Sequence, residues 1–445
     1  MKRFNFYYAG ILFTIILLGV AGWWLTSTYL EWEKPRIALS EPVEFIGQQK
    51  TLDIRFTDGK SGLRNICASI IQDQKRHPLF STDFPRRGTK EKSLSCEINV
   101  RDLKLRDGEA VLEIAAVDYS VLKNTEVLNL KVNIDTVPPQ IFLISSSHNI
   151  NPGGACLSIY KLSKEPVRTG VQVDSDFFPG YAVTIDGKTC YASFYAIPTD
   201  VRNTTRINVV MEDKGGNKSS VSVPFFIRNV KKFRADTVTL PDSFLEQKMP
   251  EFQQREPQLR GKSLVETFVY VNEQMRAENN KTIQSICLKT SPKMLWQGPF
   301  LRMKNSAPMA MFGDYRTYRY AGKAIGNSVH LGVDLASTAH ASVEAANSGI
   351  ILFTGYLGIY GNAVIIDHGL GLSSLYGHMD SIAVKEGQSV RLGDVIGNTG
   401  ATGFAGGDHL HFSTLIGGKF VNPVEWWDPH WIKDNVAKKV NVTVP

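Results

Sequence analysis

The chain has 445 residues, enough for about three domains at roughly 150 residues each. Hydrophobic residues make up 43% and charged residues 21%, a balance that supports buried cores, while 37 glycines and 20 prolines exclude a collagen-like or low-complexity chain. The formal charge of +7 is modest for this length; it suits work beside anionic polymers or lipid headgroups, and no nucleic-acid-binding signature accompanies it.

Lys2 and Arg3 precede an uncharged run, Phe4 to Leu30, that Glu31 closes. A membrane-spanning helix takes about 20 mostly apolar residues. Aromatic residues sit at both ends: Phe4, Phe6, Tyr7 and Tyr8 on one side, Trp23, Trp24, Tyr29 and Trp32 on the other. Residues 1–30 therefore read as a cytoplasmic N-terminus and a single-pass transmembrane anchor, with the membrane as a partner through this helix. A cleaved signal peptide is the alternative, but Val20-Ala21-Gly22 is a poor cleavage site and two tryptophans follow it. Cys67 with Cys96, and Cys156 with Cys190, sit in pairs within neighbouring segments, as one disulfide each in an exported protein would require. Cys287 is left over and reads as buried and inert.

Residues 33–136 alternate in short strands: T-L-D-I-R-F, C-A-S-I-I, A-V-L-E-I-A-A-V-D and V-L-N-L-K-V-N-I, separated by turns such as Asp58-Gly59-Lys60-Ser61-Gly62. Residues 137–229 repeat the scheme. Both end on an apolar strand, an acidic turn and a second alternating strand, which marks a duplication. Asp135-Thr136-Val137-Pro138-Pro139 is the joint. Strand density and size suggest two immunoglobulin-like β-sandwich modules, resembling those of bacterial envelope proteins. They carry no catalytic constellation, so they read as a stalk or as a surface for an envelope protein partner. On that reading the C-terminal domain folds without them.

Residues 230–295 turn helical. Ser263-Leu264-Val265-Glu266 is a capping box, and Leu264, Phe268, Val271 and Met275 follow at helical spacing until Asn279-Asn280 interrupts. Residues 296–430 return to short strands with Gly-rich turns and form an antiparallel β domain; residues 431–445 are a tail. Seven of the nine histidines fall between His330 and His430.

Four polar sites stand out in this last domain. His330 and Asp334 lie four apart and can offer one nitrogen and one oxygen to a metal. His409 and His411 are two apart on a strand, so both imidazoles share one face. Tyr376-Gly377-His378 places a further histidine at a strand end. The loop Gly400 to Asp408 allows an extended backbone to approach closely, and it lacks the features of a phosphate cradle.

H-x-x-x-D, Y-x-H and H-L-H-F in this order resemble the lysostaphin/LytM-type peptidoglycan metallopeptidases. The text around them agrees: Phe312-Gly313 with Arg316, Gly361-Asn362-Ala363-Val364-Ile365-Ile366-Asp367-His368-Gly369 and Gly393-Asp394-Val395-Ile396-Gly397. The resemblance covers roughly residues 300–428. It departs at Ser413, where the family usually has Glu, and across Phe404 to Asp408. It implies that His330, Asp334 and His411 bind Zn2+, that His409 is general base or transition-state donor with His378 as its companion, and that the fold is mainly β. It further implies an endopeptidase cutting the peptide stems of peptidoglycan, which the N-terminal anchor would place at the bacterial inner membrane with its C-terminal domains periplasmic. A non-cleaving regulator that activates another wall hydrolase is the alternative, which lost ligands would mark; none are lost here. Asn362 is expected to touch substrate, and His368 to be a structural hydrogen-bonder.

Overall fold

The computed structural model describes residues 4–29, 32–145, 148–228 and 233–440. The chain is mainly β and divides into two compact units. One comprises Met1–Pro139 with Lys164–Val167 and Glu212–Ser219; the other comprises Gln140–Ser163, Arg168–Met211 and Ser220–Pro445.

The N-terminal expectation is corrected. Phe4–Tyr29 forms one helix, α1. Among the described residues, however, no helix is long and apolar enough to cross a membrane. The single-pass anchor and the inner-membrane, periplasmic placement built on it are therefore withdrawn. Lys2, Arg3, Leu30 and Glu31, on which that reading leaned, lie outside the described residues, as do residues 229–232 at the module boundary and residues 441–445 of the tail.

In the first unit, Arg36–Leu39, Gln49–Thr57 and Glu91–Asn99 form a three-stranded sheet. Phe45–Ile46, Thr125–Ile134, Gly108–Asp118, Leu63–Gln72 and Lys75–Asp83 form a five-stranded one, in that order. Every second residue points inward, so Leu52, Ile54 and Phe56 from one sheet meet Ile66, Ile70, Leu112 and Ile114 from the other in a single core. The recurrent acidic turns are alike. The Asp118 carboxylate accepts from the Ser120 backbone N–H, and the Asp213 carboxylate from those of Gly215 and Asn217.

All five cysteines are free, and the strand geometry explains why. Cys67 points away from the core on a strand whose inward residues are Ile66, Ala68 and Ile70, whereas Cys96 points into it. Cys156 lies opposite Tyr195, five residues along the strand from Cys190. At about 3.4 Å per residue that separation is far beyond the roughly 7 Å limit between bridged Cα atoms.

In the second unit, Tyr181–Ile185, Lys188–Ala196, Ala155–Leu162 and Ile141–Leu143 form an antiparallel sheet. The peptidase-like region contributes β1 Ala307–Ala310, β2 Val333–Ala336, β3 Gly349–Tyr356, β4 Asn362–Gly369, β5 Leu372–Ile382, β6 Ser389–Val390 and β7 Leu410–Ile416. They follow the order β1-β2-β7-β5-β4-β3-β6, all neighbours antiparallel. One apolar core joins both sheets: Phe194 of the former packs on Trp296 and Trp426, with ring centroids 6.4 and 5.9 Å away. The closing segment is held by its aromatics, as its composition suggests, and Glu425 inside it accepts from Asn151 Nδ2 at 2.5 Å and the Ala155 N–H at 2.8 Å.

The helical stretch comprises α2 Asp242–Arg255, α3 Leu264–Tyr270 and α4 Arg276–Cys287, with a π-helical turn, Val271–Met275, between the last two. The Ser263–Glu266 capping box forms. Asn279-Asn280 does not interrupt α4. Asn279 Oδ1 accepts from the Ile359 N–H at 2.9 Å and Asn280 Oδ1 from the Tyr360 hydroxyl at 3.0 Å, so tertiary hydrogen bonds occupy the amides that would otherwise compete with the helix. Ala235–Thr239, ahead of α2, pairs in parallel with Tyr315–Tyr320, which pairs with Lys323–Val329.

Candidate metal centre

β2 and β7 run antiparallel with Asp334 directly opposite His411, and β7 continues against β5 with His411 opposite Gly377. Strand alternation puts His409, His411 and Ser413 on one face. His330 precedes β2 and is fixed by its backbone, its N–H donating to the Asp314 carbonyl and its carbonyl accepting from the Gly313 N–H. The result is a convergence of three atoms. Asp334 Oδ1 lies 3.0 Å from His330 Nε2 and 2.9 Å from His411 Nδ1, and those two nitrogens are 3.2 Å apart. All three residues are largely buried, and together they could hold a metal ion.

The far side of each ring decides what faces inward. His330 Nδ1 donates to the Met311 carbonyl at 3.0 Å. Ser413 Oγ donates to the Leu331 carbonyl at 2.9 Å, so toward His411 Nε2, 3.0 Å away, it is the acceptor. Each imidazole thus spends its N–H outward and turns a lone pair toward a carboxylate oxygen. Three lone pairs at that spacing repel unless a cation sits among them, and a His-Asp-His set of borderline donors suits zinc.

His409 and His378 stand beside the triad. His409 donates from Nδ1 to the Gly407 carbonyl at 2.8 Å, and its Nε2 is 3.6 Å from Asp334 Oδ1. His378 donates from Nδ1 to the Thr402 carbonyl at 2.9 Å and takes a left-handed backbone, φ 62°, unusual for a residue with a side chain. Their ring centroids are 4.8 Å apart. Burial and the two neighbouring imidazoles push His378 well below its ordinary pKa; at His409 burial pulls downward, but Asp334 raises it overall.

These five side chains line one cavity of about 690 Å³, whose walls also include Arg276, Arg316 and Tyr360. Asn362 is not on those walls. Its N–H donates to Thr402 Oγ1 at 2.9 Å, so it braces the Gly-rich loop. His340 is exposed near Asp380. His368 is fully buried between the Ser348 carbonyl and Ser374 Oγ, and burial lowers its pKa to about 4.

Sequence reasoning missed two contributors. Ser413, read only as a departure from the family pattern, orients a triad imidazole; its place two residues past His411 was the available signal. Arg276 belongs to the helical stretch, and nothing local ties it to the cavity.

Residues 328–423 match peptidase family M23. Over 96 residues the chain is 45% identical to DD-carboxypeptidase/endopeptidase Mpg of Neisseria meningitidis serogroup B (strain ATCC BAA-335 / MC58), covering 22% of each. It is 35% identical over 96 residues to peptidoglycan DD-endopeptidase ShyA of Vibrio cholerae, again 22% of each. It is 32% identical over 109 residues to murein hydrolase activator EnvC of Escherichia coli, 24% of this chain and 26% of that one. The match to each of these relatives therefore spans about a quarter of its length or less.

Proposed function

With residues 328–423 forming an M23 peptidase domain, we propose that the protein is a zinc-dependent endopeptidase that hydrolyses peptide cross-links of peptidoglycan. The observation that carries this is the convergence of His330 Nε2, Asp334 Oδ1 and His411 Nδ1 with both outward nitrogens already engaged. On this reading those three residues would hold the ion, and three protein donors, not four, are the mark of a catalytic site. Zinc, when bound, supplies Lewis acidity that polarises a peptide carbonyl and makes water nucleophilic near neutral pH.

The remaining chemistry falls to the chain. With Nδ1 committed to Gly407, His409 presents Nε2 to the cavity, where it can take the proton of the attacking water and pass it to the leaving amine. His378, fixed through Thr402 and its left-handed backbone, presents Nε2 alongside and orients the reacting groups. Residues 296–430 are the proposed peptidase domain, residues 230–295 its helical partner, and residues 33–136 and 137–229 Ig-like modules available to an envelope partner.

EnvC, an activator by name, keeps the regulator reading in view. The complete triad favours the enzyme. Purified full-length chain should hold about one zinc and release cross-link peptides from purified sacculi, identified by mass. A zinc-loaded chain that releases nothing alone but raises the output of a second hydrolase would establish the regulator instead.

A further inference from the structure

The helical stretch delivers to the cavity a charge that the triad and its two companion histidines do not use. The π-helical turn Val271–Met275 re-aims the side chains around it, and such turns recur at functional sites. It carries Asn272, which is 1% exposed. Asn272 Nδ2 donates to the Asn327 carbonyl at 3.0 Å, which fixes the amide's orientation. Its Oδ1 then accepts from Arg276 Nη2 at 3.0 Å, while its own carbonyl accepts from Arg276 Nε at 3.0 Å. One edge of the guanidinium is clamped, and the group forms part of the wall of the cavity that holds the triad.

Among the described residues Arg276 has no salt-bridge partner within 4.0 Å. Arg316, the other guanidinium on the wall, already has Asp334 Oδ2 at 3.5 Å. Around Arg276 lie the Tyr318 and Tyr360 rings and Arg316 itself, and burial lowers its pKa. A half-buried cation without a counter-ion is costly, and a pre-oriented guanidinium is suited to planar, charge-assisted recognition of a carboxylate.

We propose that Arg276 receives a free carboxylate of the peptide lying across the metal triad, with Asn272 as its positioning residue. The substrate class is thus a cross-linked peptide bearing an unamidated carboxylate near the scissile bond. This rests on the peptidase reading above.

The test uses the full-length zinc-loaded chain and two cross-linked muropeptides that differ only in whether that carboxylate is free or amidated. The wild type should prefer the acid by about 10- to 100-fold in kcat/KM, as one charge-assisted hydrogen-bond pair supports, chiefly through KM. R276Q should collapse the ratio to within about threefold by raising KM for the acid. R276K keeps a charge but loses the fork and should cut the ratio at least about fivefold, which serves if R276Q does not fold. Equal rates for acid and amide in the wild type, or an unchanged ratio in either folded variant, overturn the proposal. Calorimetric binding of the same pair, with the scissile amide replaced by a non-hydrolysable link, separates the two ideas. A wild type that binds the acid preferentially yet cleaves neither peptide refutes the peptidase reading and upholds the carboxylate site.

Discussion

At the residue scale the two outward hydrogen bonds matter as much as the three converging atoms. His330→Ala, Asp334→Ala and His411→Ala each delete one of three protein donors, so zinc and hydrolysis should both vanish; full zinc in any of them would remove that residue from the ligand set. His409→Ala and His378→Ala should keep zinc and lose on the order of 10²–10⁴-fold in rate. Ser413→Ala frees His411 Nε2 from the hydroxyl that orients it. Metal affinity should fall about 10- to 100-fold, which competition with a chelator would read directly. Gly332→Ala should mimic a ligand mutant for a steric reason. A Cβ there would lie 2.5 Å from Ser413 Oγ and 2.7 Å from His411 Cε1, and the adjoining backbone leaves no room to yield.

At the scale of elements, the helices hold the Gly-rich loop in place. Phe404 at its apex meets Phe244, Phe252 and Phe268, with ring centroids 5.8, 6.2 and 5.4 Å away. Lys248 of α2 donates to the Ala401 carbonyl, and His378 hangs from Thr402 in the same loop. Phe404→Ala should cost about 2 kcal/mol, less than a fully buried Phe because the ring is part exposed, and should lower activity further by releasing His378. Denaturant midpoints and rates on one substrate would show both; unchanged rates with lowered stability would mean the loop is held without Phe404.

For the molecule as a whole, the second β module shares a core with the peptidase region, so it is more than a spacer. A chain of residues 233–445 leaves Trp296 and Trp426 without Phe194. It should bind hydrophobic dyes and aggregate, whereas the stalk reading expects a folded domain. Glu425 gives the same seam a pH signature. Burial raises its pKa to about 7, against the hydrogen bonds from Asn151 and Ala155, from an ordinary value of 4.5. A raised acid favours the folded state below the ordinary value and loses that contribution as pH rises toward the folded value. Stability should therefore fall by up to about 3 kcal/mol between pH 4.5 and 7 in the wild type relative to Glu425→Gln. His148 and His368, each lowered by burial to about 4, act in the opposite direction, losing stability as pH falls from 6.5, and cancel in the comparison.

Much of the site was legible in the sequence because its geometry is local. H-x-x-x-D and H-x-H are spacings that a turn and a strand convert directly into shared faces, and alternation alone placed the core of the β modules. What stayed hidden depends on pairing across distance. Sequence put the cysteines in pairs, but strand register and the two faces of each strand set them apart. Asn279-Asn280 looked like a break until a distant turn supplied partners for its amides. Ser413 and Arg276 take their meaning from neighbours that the sheet and the helices bring together. Local spacing is written in the chain itself, whereas which buried group faces which is settled only when register and packing leave each polar atom one partner.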